Sequence, residues 1–109
     1  MQTTTKTVTT IPQLEDPWAT ASVEYMVVEQ NSVYWNYSWK LIVTNNSNRA
    51  VTFNATVKFM NQQGFQVDDG LLYGISIAPL ETRTYTDYTL VDADIAPTVA
   101  SAEADLDVR

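Results

Sequence analysis

From Val51 to Phe59 the chain alternates without a break. Val51, Phe53, Ala55, Val57 and Phe59 are apolar, and Thr52, Asn54, Thr56 and Lys58 fall between them. Successive side chains of an extended strand point to opposite faces, so this period of two predicts a strand with one dry side and one wet side. A slip of one residue would turn Val51, Phe53, Val57 and Phe59 out to water, at about 1.5–3 kcal/mol for each large side chain. The alternation therefore fixes the pairing register.

The same period runs through most of the chain. Val23, Tyr25 and Val27 share a face, as do Trp35, Tyr37, Trp39, Leu41 and Val43, with Asn36, Ser38, Lys40 and Thr44 between the latter. Asn45-Asn46-Ser47-Asn48-Arg49 supplies turn chemistry before the strand at Val51, and Asn61-Gln62-Gln63-Gly64 supplies it after. In FQVDDGLLYGISI, the Asp69-Gly70 step predicts a bulge or a sharp bend. Beyond Pro79, Thr82, Thr84, Thr86, Tyr88 and Leu90 line one face, a composition that suits an edge strand better than a core one. VDADIAP predicts a single helical turn capped by Asp92, and a last strand follows with Ala100, Ala102, Ala104, Leu106 and Val108 on one side.

Short strands at even spacing, each apolar on one face only, pack as two sheets with their apolar faces together. The expected fold is all-β: an immunoglobulin-like antiparallel β-sandwich of about seven strands in two sheets. Its domain spans residues 18–109. Residues 1–17 are polar and Thr-rich, read as a flexible arm with a short edge pairing near Val8 to Ile11.

Composition narrows the chemistry. At 109 residues the chain suits one domain with a self-sufficient core, and 45% hydrophobic content supports such a core. With 6 basic and 13 acidic residues, a net charge of -7 disfavours nucleic acid and anionic membrane surfaces. Cysteine and histidine are both absent, which removes disulfides, thiolate nucleophiles and the commonest general base and metal ligand. No run reaches the roughly 20 apolar residues of a membrane span, and the N-terminus lacks the hydrophobic region of a signal peptide. No catalytic residue and no cofactor is expected.

Several residues are candidate sites. Glu103, Asp105 and Asp107, with Asp92 and Asp94, are possible Ca²⁺ ligands. Alternate strand positions lie about 6.5–7 Å apart, too far for one ion without loop ligands, so a solvated acidic face is the stronger reading. Paired carboxylates for glycoside hydrolysis would need a deep cleft that a sandwich this small has little room for. Trp35, Tyr37 and Trp39 belong to the core by their spacing. Trp18, ahead of the first strand, and Tyr34, on the opposite face from Trp35, are the candidate surface for a glycan or a protein partner. The sequons at Asn36, Asn45 and Asn54 are chance matches in a chain rich in Asn and Thr. The Thr82, Thr84, Thr86 ladder could pair with another strand, which makes an edge-to-edge homodimer a further expectation.

A strand ending in VTNNSN, followed by an alternating strand closing in F-x-N-x-x-G, resembles the FxLYD domain, a small bacterial sandwich module. APLETRTYTDYTL resembles that family's turn into an edge strand, and VDADIAPTVASAEADL its closing segment; VKFMN (Val57 to Asn61) stands where the naming motif would be. The resemblance covers roughly residues 20–108. It implies an immunoglobulin-like fold, attachment to exported or envelope-anchored bacterial proteins and no catalytic residues. The expected function is a non-catalytic interaction or accessory module with a protein partner, outside the cytoplasm.

Overall fold

The computed structural model describes residues 5–10 and 19–108. The described residues form strands β1 (Thr5–Thr10), β2 (Ala19–Gln30), β3 (Tyr34–Asn45), β4 (Val51–Met60), β5 (Gln66–Ile77), β6 (Thr82–Asp92) and β7 (Ser101–Val108). A 3-10 turn, Ala96–Thr98, precedes the last of them. One sheet has the order β1-β2-β3-β6 and the other β5-β4-β7, with every pairing antiparallel. The two apolar faces meet in one core, so the molecule is an all-β, sandwich-like fold.

The core is the alternation made solid. Phe53, Ala55, Val57 and Phe59 of β4 are buried, as are Tyr37, Trp39, Leu41 and Val43 of β3 and Val23, Tyr25 and Val27 of β2. Ala102 and Ala104 of β7 stand opposite Phe59 and Val57, where small side chains leave room for the aromatic ring beside them. Trp35 is only half-buried and packs against the rim of the core.

β3 and β6 pair from Tyr34↔Asp92 to Thr44↔Thr82, and β4 and β5 continue from Val51↔Ile77 to Met60↔Gln66. Residues 34–60 and 66–92 are thus the two arms of one long antiparallel hairpin, folded over so that its lower half lies in one sheet and its upper half in the other. The tip is closed by Asn61, whose Oδ1 accepts from the N–H groups of Gln63 and Phe65 (3.0 Å each), and by Gly64 at φ 84°.

Asn45 sits where the arms cross between sheets, and it is the sole buried polar residue among the described ones. Its Nδ2 donates to Arg49 O (2.8 Å) and to Ile77 O and Ala78 O (3.2 Å each), while its Oδ1 accepts from Ser47 N and Oγ (2.9 and 2.7 Å). One amide thus serves backbone from both crossovers, and it satisfies the Ile77 carbonyl, which is buried.

The edge pairing expected near Val8 to Ile11 is present as β1, with Thr5–Thr10 paired to Met26–Ala21, so it starts three residues earlier than expected. Two expectations need correction. The Asp69-Gly70 step holds ordinary register with Lys58 and Val57; the shifts flank it, at Asp68/Gln66 and between Leu72 and Ile75. The helical turn expected in VDADIAP starts at its end, as Ala96–Thr98, and Asp92 does not cap it: Ile95 holds the cap position with no side-chain bond, and its N–H donates to Asp92 O (2.9 Å).

Candidate functional site

The side of the molecule where β5 and β6 end their sheets carries the most distinctive surface. Trp39 reaches across the core toward it, and its Nε1–H donates to Thr89 Oγ1 (3.1 Å). Thr89 in turn donates to Asp69 O (3.2 Å), so the indole, a hydroxyl and a backbone carbonyl tie the two sheets together at their open edge. Gly70 lies under the indole: a Cβ there would meet Trp39 ring atoms at 2.7–2.9 Å. Close approach of the ring, not turn geometry, demands glycine at this position.

Carboxylates gather near the same edge. Asp68 is half-buried, and burial pushes its carboxyl above the ordinary range; the N–H of Asp69 on its Oδ1 (2.8 Å) opposes this, and the charges of Asp69 and Asp92 add to it. Asp87 does for β6 what Asp68 does for β5: its Oδ1 accepts the N–H of the next residue, Tyr88 (2.8 Å). Each edge strand therefore has one backbone donor covered by an acidic side chain.

Large apolar side chains stand exposed around these edges. Leu71 and Tyr73 of β5 are 45% and 71% exposed, and Tyr88 and Leu90 of β6 are 59% and 47% exposed. Tyr88 and Leu90 continue the row of Thr82, Thr84 and Thr86 on the outer face of the four-stranded sheet, all of it exposed. Leu80, in the crossover before β6, is 73% exposed at a left-handed φ of 60°. Its neighbours Glu81 and Arg83 form an ion pair (3.1 Å), which holds the Glu81 carboxyl below its usual range, after the Ala78 N–H bond that lowers it most.

The residues singled out in the sequence fall elsewhere. Trp18 lies outside the described residues. Tyr34 is half-buried at the start of β3, beside Asp92 and adjoining an Asn31 turn, rather than standing free as a stacking platform. Glu103, Asp105 and Asp107 run along the outer face of β7, with Lys58 bound to Asp105 (3.2 Å) in their midst, while Asp92 and Asp94 belong to the other sheet's strand and the loop after it. No group of three or more acidic side chains among the described residues is placed to hold a metal ion. Tyr25, Tyr37 and Phe59 pack edge-on or tilted at ring separations of 5.3–5.8 Å, and Tyr37 donates to Ala96 O (2.8 Å). Burial, followed by the neighbouring Tyr25, pushes the Tyr37 phenol up to about 12. These aromatics are committed to packing.

A shallow depression of about 210 Å³ lies on the outer face of the four-stranded sheet, over Ser38 and between Met26, Thr86 and the Lys40–Glu24 pair (3.7 Å). No helix among the described residues is long and apolar enough to cross a membrane.

No family model matches this chain, and no curated protein matches it. Among solved structures it is similar to the X-ray structure of Northeast Structural Genomics Consortium target SoR45, at 10% identity and a TM-score of 0.42, over 97% of this chain and 80% of that one.

Proposed function

We propose that this protein is a non-catalytic interaction module that meets a protein partner through its β5/β6 side. The observation that carries the reading is that both edge strands on this side leave large apolar side chains in water, Leu71 and Tyr73 on β5 and Tyr88 and Leu90 on β6, so that the rim is apolar on the outer faces of both sheets. Aromatic and aliphatic anchors of this kind dominate protein contact surfaces, and an acidic surround discourages phosphate-rich partners. In architecture the module is an immunoglobulin-like sandwich in the broad sense of two facing antiparallel sheets. Its strand order departs from the constant-domain pattern, in which the second strand pairs with the fifth and the third strand belongs to the other sheet. The resemblance to FxLYD domains supports placement on an exported or envelope-anchored bacterial protein.

A photoreactive phenylalanine analogue tests the surface. Introduced in place of Tyr73 or Tyr88 in the source cell, it should give an adduct of one discrete mass, whereas the same group at Thr52, exposed on the outer face of β4, should give none. Absence of any adduct at both tyrosines, or equal adducts at all three positions, would overturn the assignment.

A further inference from the structure

The edges of the two sheets are not equivalent. β5 is interrupted by two register shifts, β1 is six residues long, and β7 carries Glu103, Asp105 and Asp107 along its exposed face. β6 alone combines length with regularity: it pairs with β3 over Thr82–Asp92 without a shift. Its free side follows from two bonds at its ends. Asn45 N–H donates to Glu81 O (2.9 Å) and Ala93 N–H donates to Val33 O (3.0 Å), so the odd-numbered residues turn their backbone groups toward β3. Thr82, Thr84, Thr86, Tyr88 and Leu90 therefore direct N–H and C=O outward. The Tyr88 N–H is met there by its neighbour Asp87, as an outward donor would be.

We propose that β6 pairs antiparallel with β6 of a second copy of this chain, on a two-fold axis through Tyr85, joining the two four-stranded sheets into one. The register is chosen by charge. With Tyr85 opposite itself, Arg83 of each copy faces Asp87 of the other, Thr84 faces Thr86, and Thr82 faces Tyr88. A register centred on Asp87 sets two carboxylates against each other, and one centred on Thr86 leaves Arg83 facing Thr89. Only even-numbered residues then exchange backbone bonds, which matches the groups that β6 leaves free. Asp87 changes its role on pairing: it releases the Tyr88 N–H to Thr82 of the other copy and takes the guanidinium of Arg83. The axis stands normal to the sheet, so it also brings the two β5 edges, with Leu71 and Tyr73, toward each other.

This deepens the proposed contact surface by naming one occupant, and it rests on that reading for the role of the β5/β6 side. Sedimentation across low to high micromolar concentrations of the full chain is the test. The wild type should show a reversible monomer–dimer equilibrium. Thr84→Pro should abolish it while leaving the far-ultraviolet circular dichroism unchanged, because the lost N–H faces away from β3. Arg83→Asp or Asp87→Arg alone should weaken association by roughly tenfold, as like charges come to oppose. The double reversal, Arg83→Asp with Asp87→Arg, should restore it, since each aspartate again faces an arginine. A wild type that stays monomeric, a dimer indifferent to Thr84→Pro, or a double reversal no better than the single ones would each overturn the proposal. A monomer that still gives a discrete adduct with another protein at Tyr88 would sink self-pairing alone and leave the interaction surface standing.

Discussion

Asn45 shows how much structure one polar side chain can hold. A buried amide is tolerated only when its donors and acceptor are met, and here they are met by backbone from two separate crossovers. Asn45→Ala would strand the buried Ile77 carbonyl and remove one donor each from Ala78 O and Arg49 O, the latter keeping Ser47 Oγ (3.0 Å), at a cost of about 2–4 kcal/mol. In a domain of this size that lowers the melting temperature by roughly 10–20 °C, readable by calorimetry. Ser47→Ala, at the half-exposed turn, should cost less than about 1 kcal/mol. Asn45→Asp would turn an acceptor-only carboxylate toward the same three carbonyls, which raises its pKa in the folded state. Its deficit relative to wild type should therefore shrink as pH falls.

At the level of elements, β5 and β6 are held together by the Trp39–Thr89–Asp69 chain and the bare Cα of Gly70. Gly70→Ala should destabilise by about 1–3 kcal/mol, because the indole has no free direction in a filled core. Trp39→Phe alone should also destabilise, through the void and the lost Thr89 bond. Combined, the two should cost less than the sum of the singles by at least about 0.5 kcal/mol, measured as a double-mutant cycle in denaturant. This contact also marks the limit of what the chain alone discloses. Period-two spacing foretells the buried faces of β2, β3, β4 and β7, because pleating ties face to parity within a strand. The Thr-rich composition of β6 foretells an edge for the same local reason. Asp69-Gly70 misleads, since the glycine answers to Trp39, far earlier in the chain, and no local pattern encodes that distance. The candidate surface is half legible in the sequence: Tyr88 and Leu90 follow from the threonine row, whereas Tyr73 is exposed by a register shift near Gly74 that alternation does not announce. Tyr34, read as exposed, is half-buried because β6 brings Asp92 alongside it.

For the molecule as a whole, the aromatic end of the core carries a pH dependence. The Tyr37 phenol is held neutral, pushed up to about 12 from an ordinary 10.0, and Tyr25 is raised by burial as well. The sign follows directly: the stabilisation is complete below pH about 10 and is lost as pH climbs toward 12, because the unfolded chain ionises first. Melting temperatures taken from mildly to strongly alkaline solution should fall over that window. Tyr37→Phe should soften the fall while lowering stability at neutral pH, since the bond to Ala96 O is gone. The doubled-over hairpin has a kinetic consequence as well. Zipping from the Asn61–Phe65 tip lets each new rung close a loop only slightly larger than the last, so the ladder grows cheaply from its nucleus. The bend at Asn45 comes near the midpoint of that growth, after the nucleus is set. Replacing Asn45 should hasten unfolding and leave the refolding rate nearly untouched, whereas loosening the tip should slow refolding.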